Sequence, residues 1–194
     1  MITRRLVVLL AGFLLAGCSL LRGPAVTPTR FYVLTAAGAP RVMASSLAVG
    51  LGPITFPAYL DRPELAVRVD ANQIAYQDAA RWAEPLKQSF ARVLATDLSN
   101  LLGTERIIAF PWYSTTKIDY TVAIDVTRFE AQSDGTAILV ASWTVGRDGE
   151  HALASNVATL SRSGGSAEQT AAALSALTAE LAQQIAAAIP ARTP

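Results

Sequence analysis

Two stretches of the chain repeat apolar residues at the spacing of a helix. The first stretch carries one apolar stripe, formed by Trp82, Leu86, Phe90, Val93, Leu94, Leu98 and Leu101. The second, which is rich in alanine, carries the stripe Leu174, Leu177, Leu181, Ile185 and Ile189. Because residues three and four apart lie on one face of a helix, both patterns predict helices that bury one side.

Residues that favour helix boundaries mark the ends of both stretches. Pro85 suits the first turn of the first helix, and Gly103 suits its end. Ser166, with Gln169 three positions later, resembles a capped helix start, and Pro190 ends the second helix. The first helix is therefore predicted to include Trp82 in its apolar stripe, and the second to begin near Ser166.

Elsewhere the pattern changes to the alternation or the short β-prone runs of strands. Strands are predicted at residues 31–34, 47–51, 65–69, 73–76, 106–110, 120–127, 138–145 and 152–160. Turn residues at 133–135 and 147–149 separate the last three strands, which indicates an antiparallel meander. Residues 52–63 contain three prolines and are predicted to form a stiff loop.

The order of these elements is strands, helix, strands, helix. A sheet with helices on one side buries both apolar helix stripes in the fewest layers. The sequence therefore predicts a single α+β domain, with a mixed, largely antiparallel sheet and two main helices packed on one face.

The N-terminus has the pattern of a secretory signal. Arg4 and Arg5 precede an apolar run over residues 6–16, which ends in small residues at Cys18. A membrane-spanning helix needs about 20 apolar residues, so this run is too short to span. Residues 1–17 are predicted to be a cleaved signal peptide.

The tetrapeptide Leu15, Ala16, Gly17 and Cys18 resembles the bacterial lipobox. The resemblance implies that signal peptidase recognises the first three residues and that Cys18 carries a diacylglyceryl group and an N-acyl chain. Two or three acyl chains anchor a protein durably, whereas one binds only marginally. Ser19, where aspartate would signal inner-membrane retention, indicates the periplasmic face of the outer membrane. The alternative is an ordinary signal peptide with Cys18 near the cut.

The remaining chain divides into a tether, a domain and a tail. Residues 18–29 hold two prolines and a glycine without hydrophobic period, which is typical of a tether after the lipidated cysteine. Residues 30–190 are predicted to form the domain and residues 191–194 a C-terminal tail. The tether spans at most about 3.5 Å per residue, so the domain stays close to its membrane.

Composition and charge argue against several classes of function. Cleavage lowers Lys+Arg from 16 to 14 against 15 Asp+Glu, so no basic excess points to nucleic acid. Cys18 is the only cysteine and His151 the only histidine, and no cluster has metal-ligand spacing. No Gly-x-Ser-x-Gly elbow occurs. We expect no catalytic residue, no metal, no cofactor beyond the lipid, and no enzyme activity.

Several short motifs follow the lipobox in a characteristic order. They are Phe31-Tyr32-Val33-Leu34, Val49-Gly50-Leu51-Gly52-Pro53-Ile54, Pro57-Ala58-Tyr59-Leu60-Asp61-Arg62-Pro63, Trp82-Ala83-Glu84-Pro85-Leu86 and Ala141-Ser142-Trp143. In this order they resemble the ABC-type transport auxiliary lipoprotein family, which includes the paraquat-inducible protein C lipoproteins. The resemblance spans nearly the whole mature chain.

The resemblance implies an accessory subunit of an MCE/ABC-type lipid transport system. Such a lipoprotein docks the tunnel that extends from the inner membrane at the outer membrane, and its partners are MCE-domain tunnel proteins or ABC transporter components. Family members are expected to form homo-oligomeric rings, so the resemblance also implies self-association. The alternatives are a lipoprotein activator of a cell-wall synthase and an envelope hydrolase.

Two of these motifs supply candidate partner-binding residues, namely Tyr59, Leu60, Asp61, Arg62, Trp82 and Glu84. The first four lie in the proline-rich loop, where an ordered backbone presents side chains at low entropic cost. The alternative for that loop is a purely structural turn. Tryptophan is common at interface hot spots, but packing in the core is the alternative that the helical stripe favours for Trp82. Trp143 is predicted to lie in the core.

Overall fold

The computed structural model describes residues 27–38, 45–147 and 152–190. Outside these residues lie the predicted signal peptide with Leu15, Ala16 and Gly17, the lipid-bearing Cys18, most of the tether, part of the predicted turn at 147–149, His151, and the tail 191–194. The predictions made for those positions stay predictions.

Eight strands and two long helices make up the described part of the chain. They are β1 (Arg30–Tyr32), β2 (Val49–Thr55), β3 (Glu64–Arg68), β4 (Ile74–Trp82), α1 (Leu86–Leu102), β5 (Ile107–Ala109), β6 (Tyr120–Gln132), β7 (Thr136–Arg147), β8 (Ala152–Ser163) and α2 (Ala167–Ala188).

Strand β6 is the axis of the single eight-stranded sheet. One edge of β6 pairs antiparallel with β7, and β8 adds antiparallel to β7, which confirms the predicted meander. The other edge of β6 pairs in parallel first with β2 and then with β3. Strand β5 extends the sheet beside β2, while β4 and then β1 extend it beside β3. The prediction of an α+β fold with a mixed sheet is confirmed.

The edge that β2 and β3 share is interrupted between them. Strand β2 pairs with β6 as far as Asp125, and β3 starts to pair at Ala131. Residues 56–63 cross this gap as a loop that contains the 3-10 turn Ala58–Leu60. Strand β6 carries a register irregularity toward β7 at the same level. The proline-rich loop is thus held beside the central strand of the sheet.

Both helices pack on one face of the sheet over a continuous apolar core. Phe56, Phe90 and Phe129 meet edge to face, with ring centroids 5.1 to 6.0 Å apart. They join the loop, α1 and β6, and such aromatic pairs add about 1 kcal/mol each beyond the area they bury. Trp143 is buried on β7, as predicted.

Helix α2 begins at the capping box that the sequence indicates. The Ser166 hydroxyl accepts a hydrogen bond from the Gln169 backbone N–H at 3.3 Å, and the Gln169 side chain accepts one from the Ser166 N–H at 3.0 Å. Two donors that a helix start leaves unpaired are thereby satisfied. Helix α2 packs against α1, β7 and β8, so it is mostly buried.

Two predictions about element boundaries are wrong. Trp82 ends β4 instead of beginning α1, because its N–H donates to the Pro63 carbonyl at 2.6 Å and the extended Pro85 starts the helix only at Leu86. The predicted loop at 52–63 begins only after Thr55, since the preceding residues continue β2. The buried stripe of α1 also ends earlier than predicted, because Leu98 is buried but Leu101 is exposed.

Residues 33–38 follow β1 as an extended segment, here called the strap, which lies against both helices. The backbone N–H of Leu34 donates to Ser89 on α1 at 3.4 Å, and that of Thr35 donates to Ser175 on α2 at 3.1 Å. The N–H of Ala37 donates to the Asp97 carboxylate on α1 at 2.8 Å. Within the described residues no strand pairs with this segment, and polar helix side chains satisfy these backbone donors instead.

Asp97 is buried, and its second carboxylate oxygen has no hydrogen-bond partner among the residues that the structure describes. Burial raises the pKa of Asp97, and the bond from Ala37 only partly opposes this. A raised carboxyl pKa means that its contribution to stability is present at low pH and is lost as pH rises. We therefore expect Asp97→Asn to stabilise the fold at neutral pH, on the order of 1 kcal/mol.

Thermal unfolding at two pH values tests this expectation. The gain from Asp97→Asn should shrink as pH falls toward the ordinary aspartate pKa of 3.8. Asp97→Ala is the matched control, because it removes both the charge and the acceptor for Ala37 and should destabilise at every pH. A loss of stability from Asp97→Asn at neutral pH would contradict the argument.

Candidate functional site

The two sequence motifs that supplied the candidate partner-binding residues are neighbours in the fold. The Trp82 to Pro63 hydrogen bond joins them, and together they enclose a surface groove of about 280 Å³. This loop groove is lined by Asp61, Arg62, Pro63, Trp82, Ala83, Glu84, Pro85 and Leu86. The fold therefore brings together residues that are separated by some twenty positions in the sequence.

The candidate residues differ in what they can offer a partner. Leu60 and Trp82 are buried in the core, which is the alternative that the sequence analysis favoured for Trp82. Asp61 and Arg62 are exposed at the rim of the loop groove. Glu84 lies at the opposite rim, where it pairs with Arg92 of α1. Direct contact with a partner is thus open to Asp61, Arg62 and Glu84.

Arg62 is fixed in position although its side chain is 54% exposed. Its guanidinium lies 4.4 Å from the centre of the Tyr76 ring, and its Nε lies 3.4 Å from a Glu64 oxygen. Arg81 reaches the other Glu64 oxygen, also at 3.4 Å. A guanidinium has five N–H donors, and the bond to Glu64 uses one of them. Arg62 is therefore an ordered cation with spare donors.

Tyr59 points away from the groove into a buried cluster that the sequence analysis missed. Its hydroxyl donates to Glu130 on β6 at 2.7 Å, and Arg68 and Arg128 donate to the same carboxylate at 2.8 and 2.9 Å. The Glu130 side chain is 0% exposed. Since the Phe129 N–H donates as well, the carboxylate accepts four hydrogen bonds, which is its full capacity.

This Glu130 cluster has a clear electrostatic balance. Burial alone would raise the pKa of Glu130, but the hydrogen bonds from Arg68, Tyr59 and Arg128 outweigh it and lower that pKa. Burial, together with the hydrogen bond to Glu130 and its charge, raises the pKa of Tyr59 to about 12. All acceptor positions of Glu130 are occupied and Tyr59 stays protonated, so neither side chain is available as a general base. The cluster is a structural clasp between the loop and the sheet.

Tyr59→Phe should flatten the loss of stability at alkaline pH. A raised tyrosine pKa contributes stability that is present below the ordinary value of 10.0 and is lost as pH rises toward 12. The hydroxyl donates to a charged acceptor, so its removal should also cost about 2 kcal/mol at pH near 8. Thermal unfolding at pH about 8 and about 11 measures both effects. An equally steep alkaline loss in both proteins would argue against this role.

A second groove, of about 520 Å³, runs between α1 and β2. Its lining is mostly apolar, with the small residues Ala91 and Ala95 of α1 on one side and Phe110 at the rim. Lys87 and Arg92 supply its charged lining residues. None of the sequence predictions pointed to this groove, because its residues come from three separate elements.

The described residues form neither a metal-binding cluster nor a membrane-spanning helix. Across residues 27–38, 45–147 and 152–190, no three histidine, cysteine or acidic side chains come together to hold a metal. Within the same ranges, no helix has the length and apolar character needed to cross a membrane.

A comparison with sequence families matches most of this chain. The sequence model of a family described as ABC-type transport auxiliary lipoprotein component matches residues 32–186. No curated protein matches the chain at a significant level.

Among solved structures, an uncharacterized protein aligns with TM-score 0.69 at 20% identity, covering 84% of this chain and 99% of its own. A DUF330-family protein from Xanthomonas campestris aligns with TM-score 0.66 at 20% identity, covering 82% and 96%. The PelC dodecamer of Paraburkholderia phytofirmans reaches only 0.44 at 15% identity, covering 82% and 95%, a likeness too weak to support any inference.

Proposed function

Because the chain belongs to the family of ABC-type transport auxiliary lipoprotein components, we propose that it is the outer-membrane lipoprotein of an MCE/ABC-type lipid transport system. In this role it is anchored through Cys18 at the periplasmic face and docks the tunnel that arrives from the inner membrane. The family is one of auxiliary transport components and not of enzymes. The observation that carries the proposal is the extent of the family match, residues 32–186, which includes nearly the whole domain.

The loop groove is the docking surface that we propose. Its loop is stapled to the sheet through Tyr59 and Glu130, so binding a partner orders little additional chain. Arg62 presents an ordered cation at one rim, and Glu84 an anion at the other. Charges placed on a rigid rim select a partner and its orientation more than they add affinity. The expected partner surface therefore carries charge opposite to Arg62 and a side chain that fits the groove.

Co-purification of the lipidated protein with a tagged MCE-domain protein from the same cell tests the function. Arg62→Glu should weaken the complex about tenfold, since it reverses a rim charge. Lys117→Glu is the matched control, because it makes the same charge reversal at an exposed position just before β6, away from the groove.

Light scattering of the purified complex then gives its stoichiometry and tests the proposed ring. If the wild-type protein forms no complex with any MCE-domain or ABC component, the transport role fails and the activator of a cell-wall synthase becomes the better hypothesis. If both variants bind equally well, the transport role stands and the loop groove is not the docking surface.

A further inference from the structure

The outer edge of β8 is the longest free sheet edge in the described part of the molecule. Strand β8 has 12 residues and pairs with β7 on one side, and no strand among the described residues pairs with its other side. The two remaining edge strands, β1 and β5, have only 3 residues each. A free edge presents unpaired N–H and C=O groups, so its length sets how much another strand can gain by pairing with it.

This edge lacks the features that normally prevent pairing. Proteins protect free edges with proline, charged side chains, bulges or very short strands. Strand β8 contains no proline, its one charged residue is Arg162, and its one register irregularity lies at its first residues. Val157 is 65% exposed and Leu153 45% exposed. The edge is long, nearly neutral and partly apolar.

The hydrogen bonding of Val157 shows which main-chain groups face outward. Its N–H donates to the side chain of Asn156 at 2.8 Å. Just after β8, the Gly164 N–H donates to the Gly135 carbonyl on the β7 side, and the register is unbroken back to Val157, so the N–H of Val157 faces away from β7. In an antiparallel ladder, the N–H and C=O of one residue point to the same side. The carbonyl of Val157 therefore also faces outward, and Val157 can form a hydrogen-bonded pair with a strand on that side.

We propose that β8 pairs antiparallel with β8 of a second copy of this chain, around a two-fold axis at Val157. No other sheet edge in the described residues matches β8 in length, so a two-fold contact of β8 with itself uses the edge most fully. The pairing sets Ser155 opposite Thr159 and joins the two sheets into one. The asparagine bond to Val157 is replaced by main-chain bonds between the copies.

The charge pattern of β8 allows it to pair with a second copy. In this register Arg162 lies opposite Ala152 of the other copy, so no like charges meet. The contact is two-fold, unlike the cyclic contacts of a ring, and it does not depend on the transport role. Failure of either proposal leaves the other in place.

Oxidative cross-linking in isolated membranes tests the register. In the lipidated protein the only native thiol carries lipid, so Val157→Cys adds a single free thiol. Facing Cα atoms in a hydrogen-bonded pair are about 5.5 Å apart, within disulfide reach. Thr159→Cys is the matched control, because its copies would be about 14 Å apart. We expect at least about tenfold more disulfide dimer from Val157→Cys than from Thr159→Cys.

A second measurement follows the mass of the detergent-purified lipoprotein. Val157→Lys sets two cations face to face at the axis and should lower the mass by half, whereas Val157→Thr should keep it. Circular dichroism checks that both variants remain folded, as expected for an exposed position. Equal cross-linking at positions 157 and 159 overturns the proposal, and so does a mass that is the same for Val157→Lys and wild type.

Discussion

Replacing Glu130 with alanine is expected to lower the melting temperature by roughly 10 °C. The variant leaves Arg68 and Arg128 without the carboxylate that they share, and it frees the Tyr59 hydroxyl. Removing one partner from a buried ion pair costs about 3 to 5 kcal/mol, because the remaining charge is left uncompensated. In a domain of this size each kcal/mol shifts the melting temperature by about 2 to 4 °C.

Glu64→Ala is the control for this experiment. Glu64 also forms ion pairs with two arginines, Arg62 and Arg81, but those contacts are longer and lie near solvent. Glu64→Ala should therefore lower the melting temperature much less than Glu130→Ala does. Equal shifts for the two variants would mean that burial of Glu130 does not matter.

The Glu130 effect should also depend on pH. A lowered carboxyl pKa contributes stability that is present above the ordinary glutamate value of 4.5 and is lost as pH falls through the folded value. The difference between wild type and Glu130→Ala should therefore narrow in acid. Melting curves from neutral pH down to about 3 give this dependence directly.

Cys18→Ser is expected to move the protein from the membrane fraction to the soluble periplasmic fraction almost completely. Each buried methylene contributes about 0.8 kcal/mol, so loss of two or three acyl chains removes nearly all membrane affinity. The fold should be unaffected, because its core lies within residues 27–190. Fractionation followed by immunoblotting measures the shift.

Ser19→Asp is the matched control for the anchor. It keeps the predicted lipidation site Cys18 but introduces the aspartate that signals retention of a lipoprotein in the inner membrane. This variant should stay in the membrane fraction and move to the inner membrane. A Cys18→Ser protein that remains membrane-bound would show that lipid is not the main attachment.

Much of the fold follows from periodicity in the sequence. The stripe of α2, its start at Ser166 and the meander β6 to β8 were all predicted, because each depends on residues within one or two turns of chain. The prediction that Trp82 belongs to the first helix is wrong for one local and one distant reason. Its spacing to Leu86 fits a helix, but Pro85 excludes the helical conformation just before it, and the competing hydrogen bond goes to a distant loop.

The candidate site was only partly predictable. Asp61 and Arg62 were correctly placed in a loop because proline density is a local signal. The role of Tyr59 depends on Glu130, which lies 71 positions further along the chain. Arg128 and Glu130 share one face of β6, since they are two residues apart in a strand. A predicted strand that reached residue 132 would have placed Arg128 and Glu130 side by side on one face. It would not have indicated that Tyr59 of the loop binds Glu130.

The strap determines how the domain bears tension. A lipoprotein held by its N-terminus and by a partner is pulled along the chain that enters β1. The three residue pairs that β1 forms with β4 lie in sequence along that chain with the hydrogen bonds that the strap donates to Ser89, Ser175 and Asp97. A pull along the strand loads them together in shear. For a chain anchored ahead of β1, this arrangement resists extraction, because shear must break all of these bonds together, whereas unzipping would break them one at a time.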